Sequence, residues 1–212
     1  MKRMNPDAMY IGIAGNIGSG KTTLTRLLTE QFGWTAHCED ADGNPYLTDF
    51  YSDMQRWSLS LQVYFLTKRF KSTQEILTSG STVVQDRTIY EDAYIFAENL
   101  HDMGYFVDRD YRTYLELFEV LKQYLMPPRL LIYLRASVPT LMKQIARRGR
   151  PFEAAISSDY IRRLNNLYEH WIEGCDPERL LTIDIEDFDF ANNPDDARKV
   201  LDIVGRRLES IN

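Results

Sequence analysis

The chain has 212 residues, 44% of them hydrophobic and 26% charged, with a formal net charge of −6. The length suits one domain, residues 1–212, with a substantial core, and the acidic balance argues against a general nucleic-acid-binding role. No apolar run is long enough for a signal peptide or a membrane span, and Cys38 and Cys175 lack metal-site spacing and form no disulfide framework, so the expectation is a cytoplasmic protein with both thiols as small buried residues.

Residues 9–14 (Met9-Tyr10-Ile11-Gly12-Ile13-Ala14) make a short apolar run suited to a buried strand, and residues 22–32 read as a helix. Between them, Gly15-Asn16-Ile17-Gly18-Ser19-Gly20-Lys21-Thr22 fits the phosphate-loop pattern G-x-x-x-x-G-K-[ST] at every fixed position. A strand turning into a helix there leaves unpaired N–H groups at the helix start, where the helix dipole favours anions. Lys21 supplies a cation for the β- and γ-phosphates, and the Thr22 hydroxyl is placed to ligate Mg²⁺. The bland alternative is a glycine-rich turn that happens to precede Lys-Thr. Strand, loop and helix in register argue against it, so the expected ligand is a nucleoside triphosphate.

Residues 34–38 form a second short strand ending at Glu39-Asp40, and Gly43-Asn44-Pro45 breaks the chain before a short helix at 46–51. Residues 56–76 have the spacing of a long amphipathic helix. Thr82-Val83-Val84-Gln85-Asp86 is β-branched and strand-like. Helical patterns follow at 90–100 and 111–125, separated by a polar break at 101–110. Residues 130–134 are the fourth strand. A helix at 139–147 starts near Ser137 as its N-cap, and a basic break, Arg148-Gly149-Arg150-Pro151, follows it. Residues 158–171 are helical, 180–184 the fifth strand, and 195–210 a closing helix. Short apolar strands alternating with helices imply a parallel sheet covered on both faces, a three-layer α/β domain.

Charged residues cluster where the expected strands end, which is where open α/β sheets bind ligands. Glu39 follows the second strand, Asp86-Arg87 the third, and Glu186-Asp187 the fifth, while Arg148 and Arg150 follow the fourth strand and its helix. There is no Asn-Lys-x-Asp guanine-reading motif, which lowers the GTPase reading. A kinase acting on a hydroxyl needs a base and charge neutralisation near the attacking oxygen. Glu39 is the natural base; Arg87 could hold that carboxylate or a phosphate, and Arg148 with Arg150 could close over the transferred group. Taken singly, each of these residues could equally hydrate a strand end or a loop.

Several longer motifs then point further: the Glu39 region through Asn44-Pro45-Tyr46-Leu47, Arg56-Trp57 through Leu61-Gln62, Asp86-Arg87-Thr88-Ile89-Tyr90-Glu91-Asp92 with Tyr94-Ile95-Phe96-Ala97, Tyr133-Leu134-Arg135-Ala136, Arg148-Gly149-Arg150, Tyr160, and Ile183 through Phe188. With the phosphate loop they cover nearly the whole chain in order. In them the chain resembles the deoxynucleoside kinase family. The resemblance implies a P-loop kinase fold with a five-stranded parallel sheet flanked by helices, an arginine lid at about 148–156, ATP and Mg²⁺ as cofactors, and a homodimer. It implies Glu39 as the base for the deoxyribose 5′-hydroxyl, Arg87 as positioning it and the phosphoryl group, and Asp86 beside Thr22 at the metal. Tyr51 and Glu153 match positions that hold the 3′-hydroxyl, and Gln62 one that pairs with the base. Phe96 matches an aromatic that stacks on the base, with Trp57 lining the same pocket, and Arg69 with Asp92 matches a polar pair near it. The donor site takes in Gly15 to Thr22, the following Thr23, Arg148 and the Glu186-Asp187-Phe188 loop around adenine.

The chain departs from the family's pattern in three places. Glu39-Asp40-Ala41 replaces the common Glu-Pro-Val, which makes Asp40 a second candidate base; Gln144 stands where a lid arginine is common; and Ala93 stands where several members have arginine. The expected substrate order is deoxyadenosine, then deoxyguanosine and deoxycytidine, with thymidine last. The rivals are a nucleoside monophosphate kinase, which would need more basic residues for the acceptor phosphate, and a nucleotide-binding regulator without chemistry. No partner beyond the small-molecule substrates, neither nucleic acid nor membrane, is expected.

Overall fold

The computed structural model describes residues 8–38, 43–153 and 155–211. Five strands, β1 (Tyr10–Gly15), β2 (Thr35–His37), β3 (Val83–Asp86), β4 (Leu130–Arg135) and β5 (Leu180–Asp184), form one sheet in the order β2-β3-β1-β4-β5. Every pairing is parallel. The sequence dictates this. β1 is buried at every position, as is β3 with its Val83 and Val84 followed by the polar Gln85 and Asp86, and β4 at all but its last, so both faces need helical cover. The register sets Ile13 beside Asp86 and Gly15 beside Leu134, which brings the carboxyl ends of β1, β3 and β4 level at one edge of the sheet.

The helices are α1 (Lys21–Phe32), α2 (Leu47–Ser52), α3 (Met54–Ser79), α4 (Ile89–Glu91), a π-helical stretch (Asp92–Ala97) running directly into α5 (Glu98–Asp102), α6 (Asp108–Lys122), α7 (Val138–Arg148), α8 (Ser158–Glu173) and α9 (Pro194–Ile211). α1 packs on β1, β2 and β3 and against α9, which also lies on β5; α3, α6 and α8 gather around the π-helical stretch. The main core joins strand residues such as Ile11, Ile13 and Ile132 to Leu24, Leu164 and Val204. A second cluster, built on Leu61, Leu66, Ile89, Tyr114 and Phe118, fills the space between α3, α4 and α6.

Every expected strand and helix is present, with ends shifted by a few residues. The helix expected at 90–100 is a longer run interrupted by the π turn, and short 3-10 turns at Pro151–Glu153 and Pro177–Arg179 were not foreseen. The expectation of two buried thiols is corrected: Cys38 is exposed and Cys175 half-buried, both free. Cys38 follows the edge strand β2, whose Thr35 and Ala36 face solvent. What burial the two thiols have pushes both pKa values up, so neither is an activated nucleophile.

Candidate active site

The phosphate loop hangs between the end of β1 and the start of α1. Gly18 and Gly20 take left-handed backbone angles, φ 87° and 90°. A Cβ at Gly18 would lie 3.0 Å from the Leu141 carbonyl oxygen on α7, so the loop can seat there only as glycine. Asn16 is buried and fastens the loop to α8: its Nδ2 donates to the Ile161 carbonyl (3.0 Å) and to Asn165 Oδ1 (2.6 Å), while its Oδ1 accepts from the Ile17 N–H (2.7 Å). Lys21 Nζ folds back over the loop and donates to the carbonyls of Gly15 (2.7 Å) and Asn16 (3.0 Å). No side chain caps α1, and Ser19 Oγ is buried with no hydrogen-bond partner among the described residues. The uncapped N–H groups at the start of α1 are open donors of the kind that bind phosphate oxygens.

At the neighbouring strand end, Thr22 Oγ1 donates to Asp86 Oδ2 at 2.6 Å. Asp86 Oδ1 is buried with no hydrogen-bond partner among the described residues. A hydroxyl, a carboxylate oxygen held by it and a second carboxylate oxygen left over make a donor set that fits Mg²⁺, which keeps most of its shell as water and phosphate oxygen. Among the described residues no group of three or more His, Cys, Asp or Glu forms a cage that would hold a metal by protein ligands alone. The next residue, Arg87, is the one non-glycine among the described residues with positive φ, 68°. Its N–H is fixed on the Ile13 carbonyl (2.9 Å), and its guanidinium lies 4.2 Å over the Phe96 ring. Left-handed backbone at a non-glycine costs about 1–3 kcal/mol and persists where the surroundings force it, commonly at functional sites.

A cavity of about 110 Å³ opens from this point, with Lys21, Thr22, Asp86 and Arg87 at one end and Gln62 and Asp92 in its wall. Gln62 is 3% exposed. Its Oε1 is buried without a hydrogen-bond partner among the described residues. Asp92 is buried and paired with Arg69, whose Nε lies 3.2 Å from Oδ2. Arg69 also donates to the Asp86 carbonyl (3.3 Å), so it stands behind the wall and holds Asp92 in place rather than facing the cavity. Tyr51, Phe96 and Glu153 line the cavity as expected. Trp57 does not: it packs against Tyr46, with Arg56 over its ring. One face of Phe96 is covered by Arg87, which leaves the remaining face or edge to meet a ligand. Glu39 and Asp40, the two candidate bases, lie outside the described residues.

Arg148 ends α7, where Gly149 caps the helix at φ 65°. Its guanidinium grips both oxygens of the buried Glu153 carboxylate, Nε to Oε2 at 3.1 Å and Nη2 to Oε1. Arg150 Nη1 lies 3.8 Å from the same Oε1. On the other side of the loop lies a larger, more open groove of about 670 Å³, bounded by Lys143, Gln144 and Arg147 of α7 and by Phe188 and Asn192 opposite. Thr23 and Glu186 also border the groove; Asp187 does not. Glu186 caps α7, accepting from the Ser137 N–H (2.9 Å) and the Thr140 hydroxyl (2.9 Å). The Ser137 hydrogen bond foremost holds its carboxyl below the usual range.

Sequence reasoning did not single out Phe50 and Phe65 in the cavity wall and met Leu47 and Tyr160 only as motif residues without a role, since apolar residues at helical spacing look the same in a core. Burial pushes the Tyr160 hydroxyl up to about 12, so it stays protonated as a neutral wall group. Glu91 was read only as part of a motif. It is fully buried, and with Asp92 beside it nothing in the local sequence marked the position as buried.

A family model described as deoxynucleoside kinase matches residues 11–209. The deoxyadenosine/deoxycytidine kinase of Bacillus subtilis (strain 168) is 40% identical over 201 residues, covering 94% of this chain and 93% of that one. The deoxyguanosine kinase of the same organism is 35% identical, covering 91% and 94%. A solved deoxyadenosine kinase from M. mycoides with bound dATP superposes with a TM-score of 0.81 at 27% identity, over 95% of this chain and all of that one.

Proposed function

The chain belongs to the deoxynucleoside kinase family, and from that premise we propose that it transfers the γ-phosphoryl group of ATP to the 5′-hydroxyl of a deoxynucleoside in nucleotide salvage, with deoxyadenosine preferred, then deoxyguanosine and deoxycytidine. The observation that carries the reading is the cavity that meets the phosphate loop at Lys21 and Thr22 and has in its wall Gln62, whose buried amide oxygen has no hydrogen-bond partner among the described residues. A buried carboxamide beside a phosphate cradle suits recognition of a base edge.

In this reading Lys21 and the loop from Gly15 to Thr22 hold the donor phosphates, and the groove beside Thr23 and Phe188 takes the adenosine. Thr22 and Asp86 would hold Mg²⁺, which when bound neutralises charge on the transferring group. Glu39, or Asp40 beside it, takes the 5′-hydroxyl proton. Arg87 aligns the base and the phosphoryl group. Arg148 and Arg150 close over the transferred group and exclude water. Tyr51 and Glu153 hold the 3′-hydroxyl, with Tyr51 crowding a ribose 2′-hydroxyl. Asp92, steadied by Arg69, accepts from the exocyclic amine of adenine or cytosine.

We place the enzyme in the cytoplasm, supported by its two free cysteines. No helix among the described residues is long and apolar enough to cross a membrane. We also propose a homodimer. The large apolar side chains left on the surface include Leu117 and Val120 of α6 and Tyr124 and Met126 just beyond it. These side chains support α6, beside α3, as the candidate interface.

The test is steady-state phosphorylation with ATP and Mg²⁺ across the four deoxynucleosides, adenosine and the matching monophosphates. The expected result is the highest kcat/KM for deoxyadenosine, with adenosine well below it. Activity confined to monophosphates would replace this reading with the monophosphate kinase, and nucleotide binding without turnover would replace it with the regulator.

A further inference from the structure

Glu91 is fully buried, and neither nucleotide site uses it. Burying a carboxylate is costly unless its neighbours satisfy both oxygens. Here they do. Oε2 accepts from the Thr88 N–H (2.7 Å) and lies 3.3 Å from the Thr88 hydroxyl. Oε1 accepts from the Tyr168 hydroxyl (2.7 Å) and, at 3.3 Å, from the Gly15 N–H. Gly15 is the first residue of the phosphate loop and its carbonyl anchors Lys21 Nζ. Thr88 directly follows Arg87, whose left-handed backbone is pinned on its other side by the Ile13 carbonyl. Tyr168 belongs to α8, the helix to which Asn16 is also fastened. One carboxylate therefore bridges the end of β1, the turn after β3 and α8.

We infer that Glu91 is a positioning residue for phosphoryl transfer: it fixes the distance between the phosphate loop with Lys21 and the Asp86-Arg87 turn, so that donor phosphates and Arg87 meet in one geometry. The requirement is for a carboxylate. Each of its two oxygens accepts one backbone N–H, and neither N–H can reverse its role. An amide has one oxygen and one NH₂, so glutamine at this place sets a donor against either the Gly15 or the Thr88 N–H. The loop and the turn then cannot both keep their places. Asp92 is the chain neighbour of Glu91, but the Glu91 carboxylate is bonded to Gly15, Thr88 and Tyr168, none of which lines the acceptor cavity, so recognition of the acceptor is left alone.

The inference rests on the phosphotransfer reading, and Glu91→Gln tests it with two readouts. In folded protein, kcat is expected to fall about 10- to 100-fold, the scale of losing hydrogen bonds to a buried charge. KM for ATP is expected to rise about fivefold or more, while KM for the deoxynucleoside stays within about twofold. A role in folded stability alone lowers the active fraction and leaves both KM values as they were, and that pattern overturns the inference, as does a variant whose kcat and ATP KM both match wild type. If Glu91→Gln does not fold, Tyr168→Phe keeps the ring stacked on Tyr133 and removes one of the four contacts; it is expected to raise the ATP KM about threefold, and an unchanged ATP KM overturns the inference. Calorimetric affinity for ATP with Mg²⁺ separates the two readings. It must weaken about fivefold in Glu91→Gln even if wild type transfers phosphate to no deoxynucleoside, and unchanged affinity counts against Glu91 alone.

Discussion

Gln62 and Glu186 show how differently two polar side chains at one site are used. Gln62 is desolvated with its Oε1 unpartnered among the described residues, a cost to the fold that a base edge would offset. Gln62→Leu keeps the volume and removes the amide. It should leave the melting temperature unchanged or raise it, while KM for the preferred deoxynucleoside rises about 10- to 100-fold; a KM within twofold of wild type would remove Gln62 from recognition. Glu186 is solvent-exposed and works on the protein itself. Its folded pKa is lowered, so its contribution is present above the ordinary carboxylate value and is lost as pH falls through the lower folded value. Glu186→Ala should cost about 0.5 kcal/mol near neutrality, after allowance for solvent screening, and the gap to wild type in denaturant midpoint should close below about pH 4. Glu91 has the opposite sign. Burial, outweighing Arg87 and Lys21, raises its pKa, so stability falls as pH rises from the ordinary carboxylate value through the raised one. Glu91→Gln should lack that slope.

At the scale of elements, the sequence was legible where periodicity and caps speak locally. Ser137 is the N-cap of α7, accepting from the Thr140 N–H, with Pro139 in the first turn as expected. Ser137→Ala should cost about 1 kcal/mol by thermal or denaturant unfolding. The phosphate loop was legible too, because its glycines answer a backbone need. Gly18→Ala should weaken ATP binding and lower stability by about 1–3 kcal/mol, since the added methyl meets the Leu141 backbone; an ATP affinity equal to wild type would mean that α7 yields. Other features depend on partners far apart in the chain and leave no local trace. The π turn at Asp92–Ala97 sits where α3, α6 and α8 converge. Arg69 proved to stand behind Asp92, and Trp57 outside the cavity, because helical spacing gives a face but not which neighbour covers it. The Arg148–Glu153 grip joins residues that the resemblance assigned to donor and acceptor separately.

For the whole molecule, the parallel sheet was legible from short apolar runs alternating with helices, and among the described residues Asp86-Arg87 and Glu186-Asp187 follow the carboxyl ends of β3 and β5. The surface proposed for self-association was less legible. Apolar residues in α3 and α4 are mostly consumed by the second core cluster, whereas α6 leaves Leu117 and Val120 outside. Val120→Glu should convert a dimer to monomer in sedimentation with the melting temperature little changed; a dimer that persists would move the interface elsewhere.

The place of α9 in the fold bears on how the chain is made. Strands β1, β2 and β3 can pair as soon as residue 86 has been synthesised, and every residue proposed for chemistry precedes Pro194. Yet α1, which covers those strands, rests on α9, and Phe32 at the end of α1 lies against Gly205. A nascent chain therefore carries its paired strands above an unshielded apolar flank until α9 leaves the ribosome. Messages cut short before that helix should yield polypeptides that hold all the reactive groups and still go to chaperones and proteases.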